Sequence, residues 1–210
     1  MLDVKTMKKR ANLAGIVEDG YDEIAQTYHE QRDKFKSQKL LSGFSSLLPP
    51  GGDVLDAGCG AGIPVARFLV DAGFSVTGVD VSSSMLQLAR SHVPEARLLK
   101  MDMRRLGLED GHFDGICAFY SLFHVPRQEH LQVLIRFNRL LRQDGVLIFS
   151  TGKSAWQGTG EFHGTQMFWS HPHCAVTRQW VIDAGFAVMM SEVQELGGEE
   201  HYWVMARKST

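Results

Sequence analysis

The chain has 210 residues, 44% of them hydrophobic, which suits one domain of ordinary size that buries roughly 70% of its unfolded surface. Lys and Arg number 22 against 24 Asp and Glu, and the formal net charge of −2 supplies no general field for nucleic acid or an anionic membrane, so a small or neutral partner is favoured. Cys59, Cys117 and Cys174 lack paired spacing, no window approaches 18 apolar residues and the N-terminus has no apolar signal core; the expectation is a cytoplasmic protein with reduced thiols and neither a membrane nor a nucleic-acid partner.

Residues 1–17 are weakly patterned, with a basic run at Lys5, Lys8, Lys9 and Arg10, and read as a mobile tail. From Glu18 to Phe35, Tyr21, Ile24, Ala25 and Tyr28 recur at helical spacing, and a second apolar stripe from Leu40 to Leu48 ends at Pro49-Pro50-Gly51-Gly52. Residues 1–50 are thus expected to form a tail and a helical cap. In the core, residues 51–151, strands are predicted near 53–57, 75–79, 96–101, 113–119 and 145–151, with helices near 62–72, 83–92 and 127–142 between them. The closing segment, 152–210, reads as a glycine- and aromatic-rich loop to about 170, a helix near 173–184, and strands near 186–195 and 201–207 joined at Gly197-Gly198. Alternating strands and helices imply a parallel sheet with right-handed crossovers. The expected fold is therefore α/β and Rossmann-like: seven strands, mostly parallel, helices on both faces, and the last strand antiparallel.

The most informative stretch is Val54-Leu55-Asp56-Ala57-Gly58-Cys59-Gly60-Ala61-Gly62, followed by Val76-Thr77-Gly78-Val79-Asp80. An apolar strand runs through an acid and three glycines into a helix, and a second strand ends on a carboxylate at the spacing that a nucleoside ribose requires. The dinucleotide fingerprint needs its third glycine where this chain has Ile63, and Asp56 would set a carboxylate near a pyrophosphate. An acid before a glycine-lined turn suits an ammonium group instead, such as that of S-adenosylmethionine (SAM). The plainer reading of Asp80 is a helix N-cap, which Ser82 or Ser83 could supply equally well.

These motifs resemble those of the class I SAM-dependent methyltransferases, in particular the small stand-alone UbiE-like enzymes, over about Tyr21 to Lys208. The resemblance implies that Asp56, Gly58, Cys59 and Gly60 line the methionine end of SAM and that Asp80, followed by Val81, accepts from the ribose hydroxyls. Met85 and Met103 would then lie against the adenine and Asp102 would accept from its amino group, unless Arg104 or Arg105 pairs with that acid. The run from Phe113 to Val125 is similar to the family's fourth strand and active-site edge, which brings in Ala118 and Phe119. Tyr28, on the entry helix, would offer its ring to the sulfonium, a contact worth roughly 0.5–2 kcal/mol; Tyr21 and Tyr28 could equally be one core stripe.

Methyl transfer from an activated donor is mainly a matter of alignment, and a base is needed only for a hydroxyl, thiol or carbon acid acceptor. His124 is the candidate base and Tyr120 a candidate lining residue of the acceptor site. His163, His171, His173 and Cys174 lack the intervals of a zinc site, so no metal is expected. Residues 156–169 are apolar enough to hold an organic acceptor or to pack as an aromatic cover. After the fourth strand the chain has Ala118-Phe119-Tyr120-Ser121, in place of the Pro-Pro-aromatic motif of DNA amino methyltransferases or the metal-binding acid of catechol-type enzymes. The expected activity is methyl transfer from SAM to an oxygen, nitrogen or carbon of a small molecule. The alternatives are a SAM-binding module without turnover and an NAD(P)-dependent oxidoreductase, the latter disfavoured by Ile63 and Asp56.

Overall fold

Strands β1 (Asp53–Ala57), β2 (Ser75–Asp80), β3 (Arg97–Lys100), β4 (Phe113–Ala118), β5 (Leu141–Thr151), β8 (Phe186–Leu196) and β9 (Glu199–Lys208) form one sheet in the order β3-β2-β1-β4-β5-β9-β8. This is a computed structural model, and it describes residues 4–31 and 37–209, with the side chains of Leu13, 15–31 and 37–209. The strands β3, β2, β1, β4 and β5 pair in parallel and β9 lies antiparallel between β5 and β8. The chain reverses its direction of travel across the sheet between β1 and β4, and ligands of open α/β sheets bind beyond the carboxyl ends of the strands at such a switch.

Both faces of the sheet are covered, which is why β1 and β4 are buried along most of their length. On one face Leu55, Ala57, Ile116 and Ala118 pack with Phe137 and Leu140 of helix α5 (His130–Leu140) and with Val181 of α6 (Cys174–Asp183). On the other, Val54, Cys117 and Ile148 pack with Leu41 and Phe44 of α2 (Gln38–Ser45), with Leu69 of α3 (Val65–Asp71), and with Trp203. The helix α4 spans Ser83–His92, the interval read from the sequence.

Two expectations are corrected. The segment 1–17 is not a tail over its described part, because helix α1 runs from Val4 to Gln31. Leu13, Val17, Tyr21, Ile24 and Tyr28 keep helical spacing, so the buried stripe begins upstream of Glu18; Val17 and Ile24 pack on Met167 and Phe168. Phe35, the expected end of that helix, lies outside the described residues. The segment 152–170 is not a loop either. It contains an antiparallel hairpin of β6 (Trp156–Phe162) and β7 (Thr165–His171), closed by His163 and Gly164, both at positive φ (50° and 89°). That pair makes a two-residue hairpin turn, while Gly158 and Gly160 within β6 dilute the alternation by which a strand is recognised.

Candidate functional site

A cavity opens at the carboxyl ends of β1, β2 and β4 beneath α1. Its walls include Tyr21, Tyr28, Gly58, Gly60, Asp80, Val81, Met85, Asp102, Met103, Phe119, Tyr120, Ser121 and His124. Eleven of the residues singled out from the sequence are brought together there: Tyr28, Gly58, Gly60, Asp80, Val81, Met85, Asp102, Met103, Phe119, Tyr120 and His124.

Backbone geometry builds the floor. The amides of Gly58 and Cys59 both donate to the Val79 carbonyl, at 2.8 and 3.0 Å, tying the turn after β1 to the end of β2. Gly58 has φ +83°, and a Cβ there would stand 2.3 Å from Cβ of Ser121. Only glycine satisfies both demands. Ser121 is fixed in turn by its hydroxyl, which donates to the Ala57 carbonyl at 2.7 Å.

Asp80 is held by the same turn. Its two oxygens accept from the backbone amides of Gly60 at 2.8 Å and Ser82 at 2.9 Å. A carboxylate offers about four lone-pair sites, so both oxygens keep capacity for donors in the cavity. Burial pushes its pKa up against the pull of those amides. The helix-capping role that competed for Asp80 belongs to Ser82, whose hydroxyl accepts from the Met85 amide at 3.0 Å. Ser82 also donates to Asp22 of α1 at 2.6 Å, and the Ser84 amide donates to the same oxygen at 2.9 Å. The helix over the cavity is thereby fastened to the start of α4.

Asp102 is engaged within the protein. Nε of Arg104 donates to both its oxygens, at 2.9 and 2.8 Å, a second guanidinium nitrogen donates to Oδ2, and the Arg104 amide donates at 2.9 Å. Burial would raise its pKa, but the Arg104 contacts outweigh this and hold it down.

His124 Nδ1 lies 2.7 Å from the Phe168 carbonyl and Nε2 lies 2.9 Å from the Tyr21 hydroxyl. A carbonyl can only accept, so Nδ1 carries the proton and Nε2 accepts from Tyr21. Burial pushes the His124 pKa down to about 4. Tyr120 has φ +55°, uncommon for a bulky residue. It is pinned by its amide, which donates to Ser150 Oγ at 2.8 Å, and by edge contacts with Trp203 and His201.

Three expected residues do not line the cavity. Asp56 is 1% exposed, and its Oδ1 lies 3.6 Å from Cys117 Sγ; the two-residue pleat of β1 turns it with Val54 into the sheet's α2 and α3 face. Cys59 is buried over Gly78, with burial and the charges of Asp80 and Asp56 keeping its thiol protonated. Ala118 faces the opposite core with Leu55 and Ala57. Of the remaining cluster, His163 sits in the hairpin turn, His171 ends β7, and His173 caps α6 by accepting from the Ala175 amide at 3.2 Å. Sequence reading missed Ser121 and Ser150, which act through backbone contacts made across the sheet and carry no local signal.

Residues 54–145 match the family model described as a methyltransferase domain. A ubiquinone biosynthesis O-methyltransferase of Actinobacillus pleuropneumoniae serotype 7 is 33% identical over 152 residues, covering 63% of this chain and 62% of that protein. Over these residues the chain is similar to methyltransferases. The alignment spans less than two thirds of the relative's length. The 1,6-didemethyltoxoflavin-N1-methyltransferase of Burkholderia thailandensis, solved with 1,6-didemethyltoxoflavin and S-adenosylhomocysteine, superposes with a TM-score of 0.76 at 21% identity, covering 96% of this chain and 91% of that one. Magnesium protoporphyrin IX methyltransferase of Synechocystis PCC 6803, solved with SAM, superposes with a TM-score of 0.70 at 21% identity, covering 100% and 99%. At these identities the likeness is one of fold.

The residues present fit SAM. A side chain at Gly60 would project toward Met85 Sδ, 4.0 Å from the missing Cβ, across space that no other described atom approaches more closely. Asp80 offers acceptors for hydroxyl donors, Val81, Met85 and Met103 offer an apolar wall, and Tyr21 and Tyr28 offer aromatic faces.

Proposed function

We propose that this chain binds SAM in the cavity at the ends of β1, β2 and β4 and transfers its methyl group to an oxygen, nitrogen or carbon of a small organic acceptor. The observation that carries this reading is Asp80: two backbone amides orient its carboxylate while Ser82 takes over the helix cap, which leaves Asp80 available to a ligand bearing hydroxyls. The match of residues 54–145 to a methyltransferase domain supports it, as do similar proteins named for O- and N-methylation.

When bound, SAM supplies a methyl group on a positively charged sulfur, and alignment of the acceptor with that group accounts for most of the acceleration, up to roughly 7–11 kcal/mol. Gly58 and Gly60 admit the methionine portion close to the backbone. Tyr28, near Tyr21 at a ring separation of 5.6 Å, presents π-electron density to the sulfonium. Asp102, tied to Arg104, shapes the adenine end by its position.

His124 holds Tyr21. A neutral imidazole with a pKa near 4 has little driving force to remove a proton from an alcohol, so the base role expected from the sequence gives way to positioning. The lone pair on Nε2 fixes the direction of the Tyr21 O–H. Tyr120 would line the acceptor side of the cavity.

Incubation with SAM labelled in its methyl group and a cell extract tests this reading. A labelled small-molecule product is expected. Binding of SAM with label transferred to no metabolite would make the chain a SAM-holding module without turnover.

A further inference from the structure

A second cavity, of about 220 Å³, lies between α2 and α3. Leu41, Ile63, Pro64, Val65, Phe68 and Phe119 supply its apolar walls. Arg67 at its edge is neutralised by Asp71 at 2.6 Å and Glu95 at 2.9 Å, so no net positive charge faces the space. Nothing described so far uses this space.

Its position relative to the first cavity gives it meaning. Phe119 borders both. Ser37 borders the second and Tyr120 the first, and their hydroxyl oxygens face each other at 3.4 Å, the outer limit of a hydrogen bond. Phe119 and the Ser37–Tyr120 contact thus link the walls of the two spaces. Tyr120 is held at positive φ by Ser150 and Trp203, a backbone state of the kind that clusters at binding sites.

The geometry points to the second cavity as the seat of an uncharged alkyl or alicyclic portion of the methyl acceptor, whose nucleophilic end reaches the first cavity past Phe119 and the Ser37–Tyr120 contact. This rests on the methyltransferase reading for the word acceptor; the apolar site itself does not. An acceptor that binds this way is bipartite: a polar head at Tyr21 and Tyr120, and an apolar tail against α3.

The test uses 4-hexylphenol and 4-ethylphenol as probes on the full chain, with and without S-adenosylhomocysteine. Calorimetry should show the hexyl compound binding at least tenfold tighter, since each added methylene is removed from water. Nuclear Overhauser contacts are expected from its chain to the methyls of Leu41 and Val65 and to the Phe119 ring. Val65→Phe should abolish the preference and leave the affinity for S-adenosylhomocysteine unchanged. Equal affinities for the two phenols, or chain contacts confined to other residues, would overturn the proposal; the contacts in the wild-type chain decide it even where Val65→Phe does not fold. A tail preference with no binding of S-adenosylhomocysteine would retain the apolar site and remove the methyltransferase reading.

Discussion

The Tyr21 hydroxyl donates to Nε2 of His124 across 2.9 Å although the two residues are 103 positions apart in the chain. The same imidazole donates from Nδ1 to the Phe168 carbonyl. One neutral side chain therefore joins α1, the segment after β4, and β7.

Acid sensitivity follows. His124 and His130 are both held at about 4 by burial, below the ordinary histidine value of 6.5. Between these values the unfolded chain binds more protons than the folded one, so stability rises with pH there. It is fully present above about pH 6.5 and declines as pH falls toward 4. At about 1.4 kcal/mol per unit the combined effect is on the order of several kcal/mol. Urea unfolding from pH 7 to 5 should show this loss, and His124→Gln should make it shallower; an unchanged slope would remove His124 from the account.

Gly58→Ala should destabilise by at least about 1–3 kcal/mol from the positive φ alone. The contact with Ser121 adds to that. Ser121→Gly in the same chain relieves the contact but not the backbone strain, so a double-mutant cycle by chemical denaturation should show favourable coupling. Additive effects would mean that the turn shifts away from β4 instead.

Asp22→Ala removes the acceptor for both the Ser82 hydroxyl and the Ser84 amide. A loss of about 0.5–2 kcal/mol is expected by analogy with a helix cap. The carboxylate lies below its ordinary pKa because its hydrogen bonds outweigh burial. Hydrogen exchange in α1 and α4 should accelerate together in this variant; faster exchange in one helix alone would contradict the link between them.

The parallel core was legible because its strands alternate with helical stretches between glycine turns, and Asp80 drew notice because the apolar run of β2 stops on an acid. Asp56 lies outside the cavity walls for a related reason. It stands in the same motif, but the pleat of β1 turns alternate residues to opposite faces, and the motif alone does not tell which face holds the ligand. The hairpin at Trp156–His171 was hidden by Gly158 and Gly160, and the early start of α1 by the basic run that precedes its apolar stripe. Ser37 and Ser150 act through partners 83 and 30 positions away, and long-range contacts of that kind leave no periodicity to read.

Titration of S-adenosylhomocysteine into the wild-type chain and into Asp80→Ala, followed by calorimetry, measures the grip of Asp80 on the nucleoside directly. The wild type should bind at one site, and the variant should bind more weakly by about 1.5–3 kcal/mol, the worth of hydrogen bonds to a charged group. Equal affinities, or no binding by the wild type, would contradict it.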